Sequence, residues 1–268
     1  MPDVTAALET VLKRDRAIVI AGLIFVSAVS WAYVLSGAGM DMSGSETAAM
    51  SGAGAMAMPA PWTPGYAVLM LAMWWVMMVA MMLPSAAPMV LLFAAISRKE
   101  RERGGVPAAA GFFVTGYLLA WGGFSLVAVV LQWALEHLAL LSPMMATTSV
   151  GLGAALLIAA GIYQLTPLKQ ACLRHCRSPV AFLAGHWRPG AAGAIRMGLA
   201  HGLFCLGCCW VLMALLFYGG VMNLWWIGGL ALYVLIEKLA PAGPNIGRFT
   251  GLVLILWGLW LMSMLAMG

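Results

Sequence analysis

Runs of about 20 apolar residues, the length of helix that crosses the hydrocarbon core of a bilayer, recur along most of this chain of 268 residues. Only 9% of the residues are charged, whereas soluble domains usually carry about 25%. The sequence therefore predicts an all-α, polytopic membrane helix bundle with about seven transmembrane helices. The predicted spans lie near Ala17–Ser36, Tyr66–Leu83, Ala108–Leu131, Thr147–Leu165, Met197–Tyr218, Leu224–Ile236 and Phe249–Met267.

The positively charged residues set the predicted orientation of these spans. If the amino terminus is cytoplasmic, all 14 Lys and Arg residues fall in cytoplasmic segments, as the positive-inside rule requires. We therefore expect a multi-pass protein of the inner (cytoplasmic) membrane, with the lipid bilayer as a partner. The first run follows three basic residues, so a cleaved signal peptide is the alternative reading of that segment.

The predicted organisation is a single integral membrane domain over residues 1–268. Residues 1–36 form an amino-terminal tail and the first helix, residues 37–65 a flexible methionine-rich outer loop, and residues 66–268 the helical bundle. We expect the loop to be flexible because it is rich in Gly, Ala and Ser and has no periodic apolar face.

Two prolines and two glycines give expectations about helix packing. Pro84 and Pro88 each remove a backbone donor, so a kink or break is expected near Pro84. Such a helix is tolerated at membrane depth when its neighbours satisfy the freed carbonyl groups, which predicts that it lies inside the bundle. Gly198 and Gly202, at i and i+4, suit close contact with a neighbouring helix.

All five cysteines lie in two short runs, and each run contains a histidine. The first run is HGLFCLGCCW, and its members are His201, Cys205, Cys208 and Cys209. The second run is KQACLRHCR, and its members are Cys172, His175 and Cys176. Within each run the spacing places most of these side chains on one helix face. Thiolate and imidazole groups bind soft and borderline metals, so both runs are candidate metal sites, with structural cysteine as the alternative.

Methionines repeat at helical spacing along the second apolar run. The candidate metal ligands are Met73, Met77 and Met81, and further candidates are Met70, Met78 and Met82. Neutral thioethers can hold Cu(I) without the cost of burying a carboxylate. Helix packing is the alternative explanation, because methionine also fills irregular gaps. Glu237, at the cytoplasmic end of the sixth run, is a further candidate, since acids inside membrane segments are often functional.

Three stretches resemble the signatures of a bacterial family of predicted metal-binding integral membrane proteins of unknown function. The stretches are MWWVMMVAMMLPSAAPM, YQLTPLKQACLRHCRSP and GLFCLGCCWVLMALLFYGGVMNLWW, the last continuing to the Glu237–Lys238 pair. The resemblance implies a helical membrane fold. It also implies a metal site formed by Cys172, Cys176, His201, Cys205, Cys208 and Cys209.

These observations favour a soft-metal-binding membrane protein that handles Cu(I) by transport, relay or metal insertion. Methionines in the outer half would pass the ion to Cys and His in the cytoplasmic half, and zinc is the second candidate metal. We expect no catalytic residues and no nucleic-acid partner, and a second membrane or metal-carrying protein is the expected recipient. Two alternatives stay open at this point, a membrane thiol oxidoreductase and a metal-free assembly or interaction subunit.

Overall fold

The structure is a computed structural model that describes residues 2–37, 62–142 and 144–267, with only the backbone of residues 2–15. Its helices are α1 (Pro2–Leu35), α2 (Pro64–Glu102), α3 (Ala110–His137), α4 (Val150–Leu165), α5 (Pro167–Arg177), α6 (Pro179–His186), α7 (Gly190–Ala214), α8 (Leu216–Gly219), α9 (Leu224–Leu239) and α10 (Gly243–Met267). The described residues thus confirm the all-α prediction. Most of the predicted methionine-rich loop, residues 38–61, lies outside them.

Five of the described helices are long and apolar enough to cross a membrane. They are Arg16–Leu35, α2, α3, Gly190–Gly219 and α10. Helices α4 and α5 meet at a bend of 65° and would together make a sixth span. Helix α9 has 16 residues, which is about 24 Å and shorter than a typical hydrocarbon core. The count of seven, which includes α9, stays a prediction.

The outer surface of the bundle carries many large apolar side chains. Phe25 is 69% exposed, Leu256 66% and Val127 64%. Apolar surface on this scale is rare on soluble proteins, and it suits contact with lipid chains.

Helix α2 is the central element of the bundle. It runs through Pro84 and Pro88 without interruption, so the helix does not break there, and the kink that was the other expectation stays a prediction. The hydroxyl groups of Ser85 and Tyr117 both lie within hydrogen-bonding distance of the carbonyl oxygen of Met82, at 2.8 and 3.2 Å. Both hydroxyl groups therefore hold α2 at the turn that contains Pro84. The predicted position inside the bundle is confirmed, because Met70, Met73, Met77, Met78, Met81 and Met82 are all at most 2% exposed.

Helices α3 and α7 approach so closely that their contact requires glycine. A Cβ atom on Gly198 would lie 1.9 Å from the carbonyl oxygen of Phe113, and one on Gly116 would lie 2.0 Å from that of Ile195. A Cβ on Gly202 would lie 2.6 Å from Ala120. The predicted close contact at Gly198 and Gly202 is therefore confirmed, and α3 is its partner.

Replacing Gly198 with alanine should force α3 and α7 apart. We expect the folded protein to lose about 1–3 kcal/mol, the usual cost of overpacking, because the clash is with backbone rather than with a flexible side chain. Thermal unfolding in detergent measures the change. Gly123 is the matched control, since nothing lies within 4 Å of a Cβ placed there, and equal losses for both variants would contradict the packing described.

Candidate metal centre

The bend between α4 and α5 turns α5 back against α7, and this brings the two cysteine runs together. Cys176 on α5 faces Cys205 and Cys208 on α7 closely enough for its thiol to interact electrostatically with both. We call Cys176, Cys205, Cys208 and Cys209 the thiol cluster. Residue spacing treated the two runs as separate candidates and the family resemblance implied one site from both, and the fold brings Cys176 of one run to Cys205 and Cys208 of the other.

The thiols on α7 are buried, and those of Cys208 and Cys209 are turned towards the helix backbone. Cys205, Cys208 and Cys209 are at most 1% exposed. Cys208 and Cys209 each donate a hydrogen bond of 3.0 Å to the carbonyl oxygen of Cys205. Cys209 also lies 3.9 Å from the thioether sulfur of Met82 on α2. A soft thioether therefore adjoins the thiol cluster.

Lys238 on α9 places a positive charge against the thiol cluster. Its Nζ lies 2.9 Å from the Sγ of Cys205 and 3.0 Å from the Oγ of Ser85, and the residue is only 5% exposed. The hydroxyl group of Tyr117 lies 3.1 Å from the same sulfur. An ammonium group at this distance can compensate the charge of a thiolate, which is the form of cysteine that binds metals.

A second buried cation, Lys169 on α5, forms an ion pair with Glu237 on α9. The two side chains are 0% and 1% exposed. Arg177, at the end of α5, donates hydrogen bonds to the carbonyl oxygens of Glu237 at 2.6 Å and Pro241 at 3.1 Å. These contacts fasten α5, and with it Cys176, to the end of α9.

Lys169 and Lys238 were expected in loops between the spans, and this expectation is wrong, whereas their place on the cytoplasmic side stays a prediction. Both residues lie within helices and have buried side chains. The partners explain the burial, since a buried charge is tolerated when it is paired and hydrogen-bonded. Glu237, a candidate site residue, bonds to Lys169, and this contact gives it a structural role.

His201 lies one helical turn before Cys205 on α7 and is 3% exposed. Its ring stacks on Tyr117, with centroids 5.7 Å apart. Within the described part of the chain, its Nδ1 atom has no hydrogen-bond partner. A buried nitrogen left without a partner is costly, so this atom is available to a ligand next to the thiol cluster.

The other predicted ligands lie outside the thiol cluster, although Cys172 is close enough to Cys208 to interact with it electrostatically. The imidazole of His175 stacks on Phe204, with centroids 4.1 Å apart. The Sγ of Cys172 faces Gly207, at 2.7 Å from the position a Cβ would occupy there. Met73 and Met77 line a separate cavity. Met70, Met78 and Met81 are buried in the hydrophobic core.

Among residues 2–37, 62–142 and 144–267, no three His, Cys, Asp or Glu side chains are already arranged around a common metal position. The hydrogen bonds of Cys208 and Cys209 to the Cys205 carbonyl account for part of this, because their thiols are directed to the backbone. The ligand atoms in and beside the thiol cluster still suit one kind of metal ion. The set consists of four thiols, a thioether and an unpartnered imidazole nitrogen. Ligands of these kinds bind Cu(I) in preference to hard cations.

Sequence reasoning missed three residues that contact Cys205 or its partners, namely Ser85, Tyr117 and Lys238. Ser85 and Tyr117 carry no signal, since single hydroxyl residues are common in apolar helices. Lys238 does carry one. Lys238 directly continues an apolar helix. Glu237 was selected because ionisable residues within membrane segments are often functional, and the same reasoning applies to Lys238 beside it.

Comparison with known proteins gives one match. A protein-family model described as "PpoB2: Copper chaperone" matches residues 71–261, which is well over half of the chain. The matched range contains the thiol cluster, Met82, Tyr117 and Lys238. No curated protein and no solved structure matches the chain.

Proposed function

The chain belongs to the PpoB2 family of copper chaperones, and from this premise we propose that it is a membrane protein that carries Cu(I) on sulfur ligands. The thiol cluster holds the ion at the cytoplasmic half of the bundle. The buried methionines of α2 lead to it from the other half. The observation that carries the proposal is the convergence of Cys176, Cys205, Cys208 and Cys209 beside Met82.

The arrangement of thioethers on α2 supports a route to the thiol cluster. Met73, Met77 and Met81 follow one another at one-turn intervals, about 6 Å along the helix axis. Met82 stands next to Met81 and adjoins Cys209. Soft ligands at successive turns let an ion move by ligand exchange, without crossing a stretch that offers it no donor.

Lys238 supports a monovalent ion held by two thiolates. A Cu(I) ion with two thiolates carries a net charge of −1, and an isolated charge in an apolar interior is expensive. The ammonium group of Lys238 supplies the opposite charge at 2.9 Å from one sulfur. The loaded centre is then neutral overall.

Replacing Lys238 with methionine should weaken Cu(I) binding by about 10- to 100-fold, the range seen when an outer-shell partner of a metal ligand is lost. The metal-free protein should stay as stable as before, because Cys205 can keep its proton and no charge is left unpaired. Competition with a chromogenic Cu(I) chelator measures the affinity, and thermal unfolding measures the stability. Lys99→Met, at an exposed lysine on α2, is the control. Equal affinities for the two variants would contradict the role of Lys238.

The proposed location is the inner membrane, with the amino terminus in the cytoplasm. Reporter fusions after Ser97 and Gly190 should both be cytoplasmic. A fusion at either position that is active only outside would refute the orientation and would reverse the direction of transfer.

Metal content tests the function itself. Protein purified from copper-supplemented cells should contain at least one equivalent of copper by mass spectrometry, and replacement of Cys172, Cys176, Cys205, Cys208 and Cys209 by serine should lower that content by about one equivalent. Copper well below stoichiometry, unaffected by the serine substitutions, would contradict the proposal. A metal-free protein that loses two hydrogens on oxidation would instead indicate the thiol oxidoreductase. Zinc in place of copper would identify the second candidate metal.

A further inference from the structure

A cavity of about 320 Å³ lies at the end of the bundle opposite the thiol cluster. It is bounded by the last turn of α1, by α2 and by the turn that precedes α9. Met73, on its wall, stands nine residues before Met82, which corresponds to about 13 Å along α2. The cavity is therefore separate from the thiol cluster but joined to it by the same helix.

Three thioethers line this cavity. Met73 and Met77 come from successive turns of α2 and are 1% and 2% exposed. The third is Met222, which sequence reasoning did not select, because it stands alone in a short connection between helices. The fold brings it to the two methionines of α2.

The turn that carries Met222 is firmly held. Gly220 has a φ of 94°, a conformation that favours glycine, and its carbonyl oxygen accepts a hydrogen bond of 3.1 Å from the backbone N–H of Asn223. Val221 is fully buried. The side chain of Asn223 caps α9 through the backbone N–H of Trp226, at 3.2 Å, as the preference of asparagine for that position predicts. Met222 is thus presented to the cavity by a fixed backbone.

The chemistry of the cavity selects for a soft ion of low charge. None of the described residues that line it is an acid, a base or a histidine. Burying an ion without compensation is costly and the cost rises steeply with its charge, so a divalent ion is disfavoured. Thioether sulfur binds Cu(I) and similar soft ions well.

We infer that Met73, Met77 and Met222 form a binding site for a monovalent soft cation. The ion would bind there first and then move to the thiol cluster. This inference rests on the proposed function, because a first binding site has a role in transfer only if the thiols receive the ion. It adds to that function a second site, a set of ligands made only of thioethers, and selection for the monovalent state before the thiols are reached.

Silver(I), a monovalent soft ion that does not change its oxidation state here, is the probe. The full-length protein with Cys172, Cys176, Cys205, Cys208 and Cys209 changed to serine is loaded with Ag(I), desalted and analysed for bound silver. We expect it to keep silver, held by the cavity. Adding Met73→Leu, Met77→Leu and Met222→Leu should reduce the bound silver at least tenfold. Exchange of methionine for leucine nearly conserves volume and should leave the fold intact, which thermal unfolding checks.

The matched control changes three methionines outside the cavity, Met89, Met213 and Met262, to leucine in the same serine background. It should keep as much silver as its parent. The inference is overturned if the serine protein binds no silver, or if the cavity variant and the control retain equal amounts. The proposed function fails separately, if the unmodified protein holds no more silver than the serine protein.

Discussion

Changing Cys205 to serine should weaken Cu(I) binding by more than about 100-fold. Loss of an outer-shell partner of a metal ligand already costs about 10- to 100-fold, and Cys205 is the sulfur on which the other contacts converge. It faces Cys176, it lies 2.9 Å from Lys238, and it lies 3.1 Å from the hydroxyl group of Tyr117. Chelator competition on the purified protein gives the affinity.

Cys172→Ser is the matched control for that experiment. Cys172 lies on the same face of α5 as Cys176, but its sulfur is directed to Gly207 rather than to Lys238. We expect the affinity of this variant to stay within about tenfold of the unmodified protein. If Cys172→Ser loses as much affinity as Cys205→Ser, the two cysteine runs bind metal as equals and Cys205 is not the centre.

Changing Glu237 to glutamine should destabilise the protein by about 3–5 kcal/mol, the cost of stranding one partner of a buried ion pair. The partner left behind is Lys169, which is 0% exposed. Because this pair fastens α5 to α9, the variant should also show faster proteolysis between α4 and α6. Thermal unfolding in detergent and limited proteolysis report the two effects.

The double change of Lys169 to methionine and Glu237 to leucine separates the ion pair from simple loss of packing. Removing both charges together is often neutral or stabilising, so this protein should unfold near the temperature of the unmodified one. A double variant as unstable as Glu237→Gln would show that the charges themselves are not the cause.

Much of the fold could be predicted from the sequence because periodic apolar runs determine it. The helices, the buried position of α2 and the close contact at Gly198 and Gly202 all follow from spacing and residue size. Of the kink or break expected near Pro84, the break does not occur. Whether a proline interrupts a helix depends on the helices that pack around it, and the sequence of α2 alone does not identify them.

The candidate site could be predicted only in part. Residue type and spacing selected the cysteines, but not the bend between α4 and α5 that brings Cys176 to Cys205. Lys238 lies 33 residues from Cys205 in sequence, and no local pattern records their contact. The end of an apolar run is also uncertain by a few residues, which is enough to move a lysine from a loop to a buried helix end.

X-ray absorption at the copper edge, measured on protein loaded with one equivalent of Cu(I), tests the central claim most directly. We predict a spectrum of Cu(I) with a first shell dominated by sulfur and containing at most one nitrogen, from His201, and we predict that the Cys205→Ser protein loses a sulfur from that shell. A first shell of oxygen and nitrogen in the unmodified protein would contradict the claim that the thiol cluster carries copper.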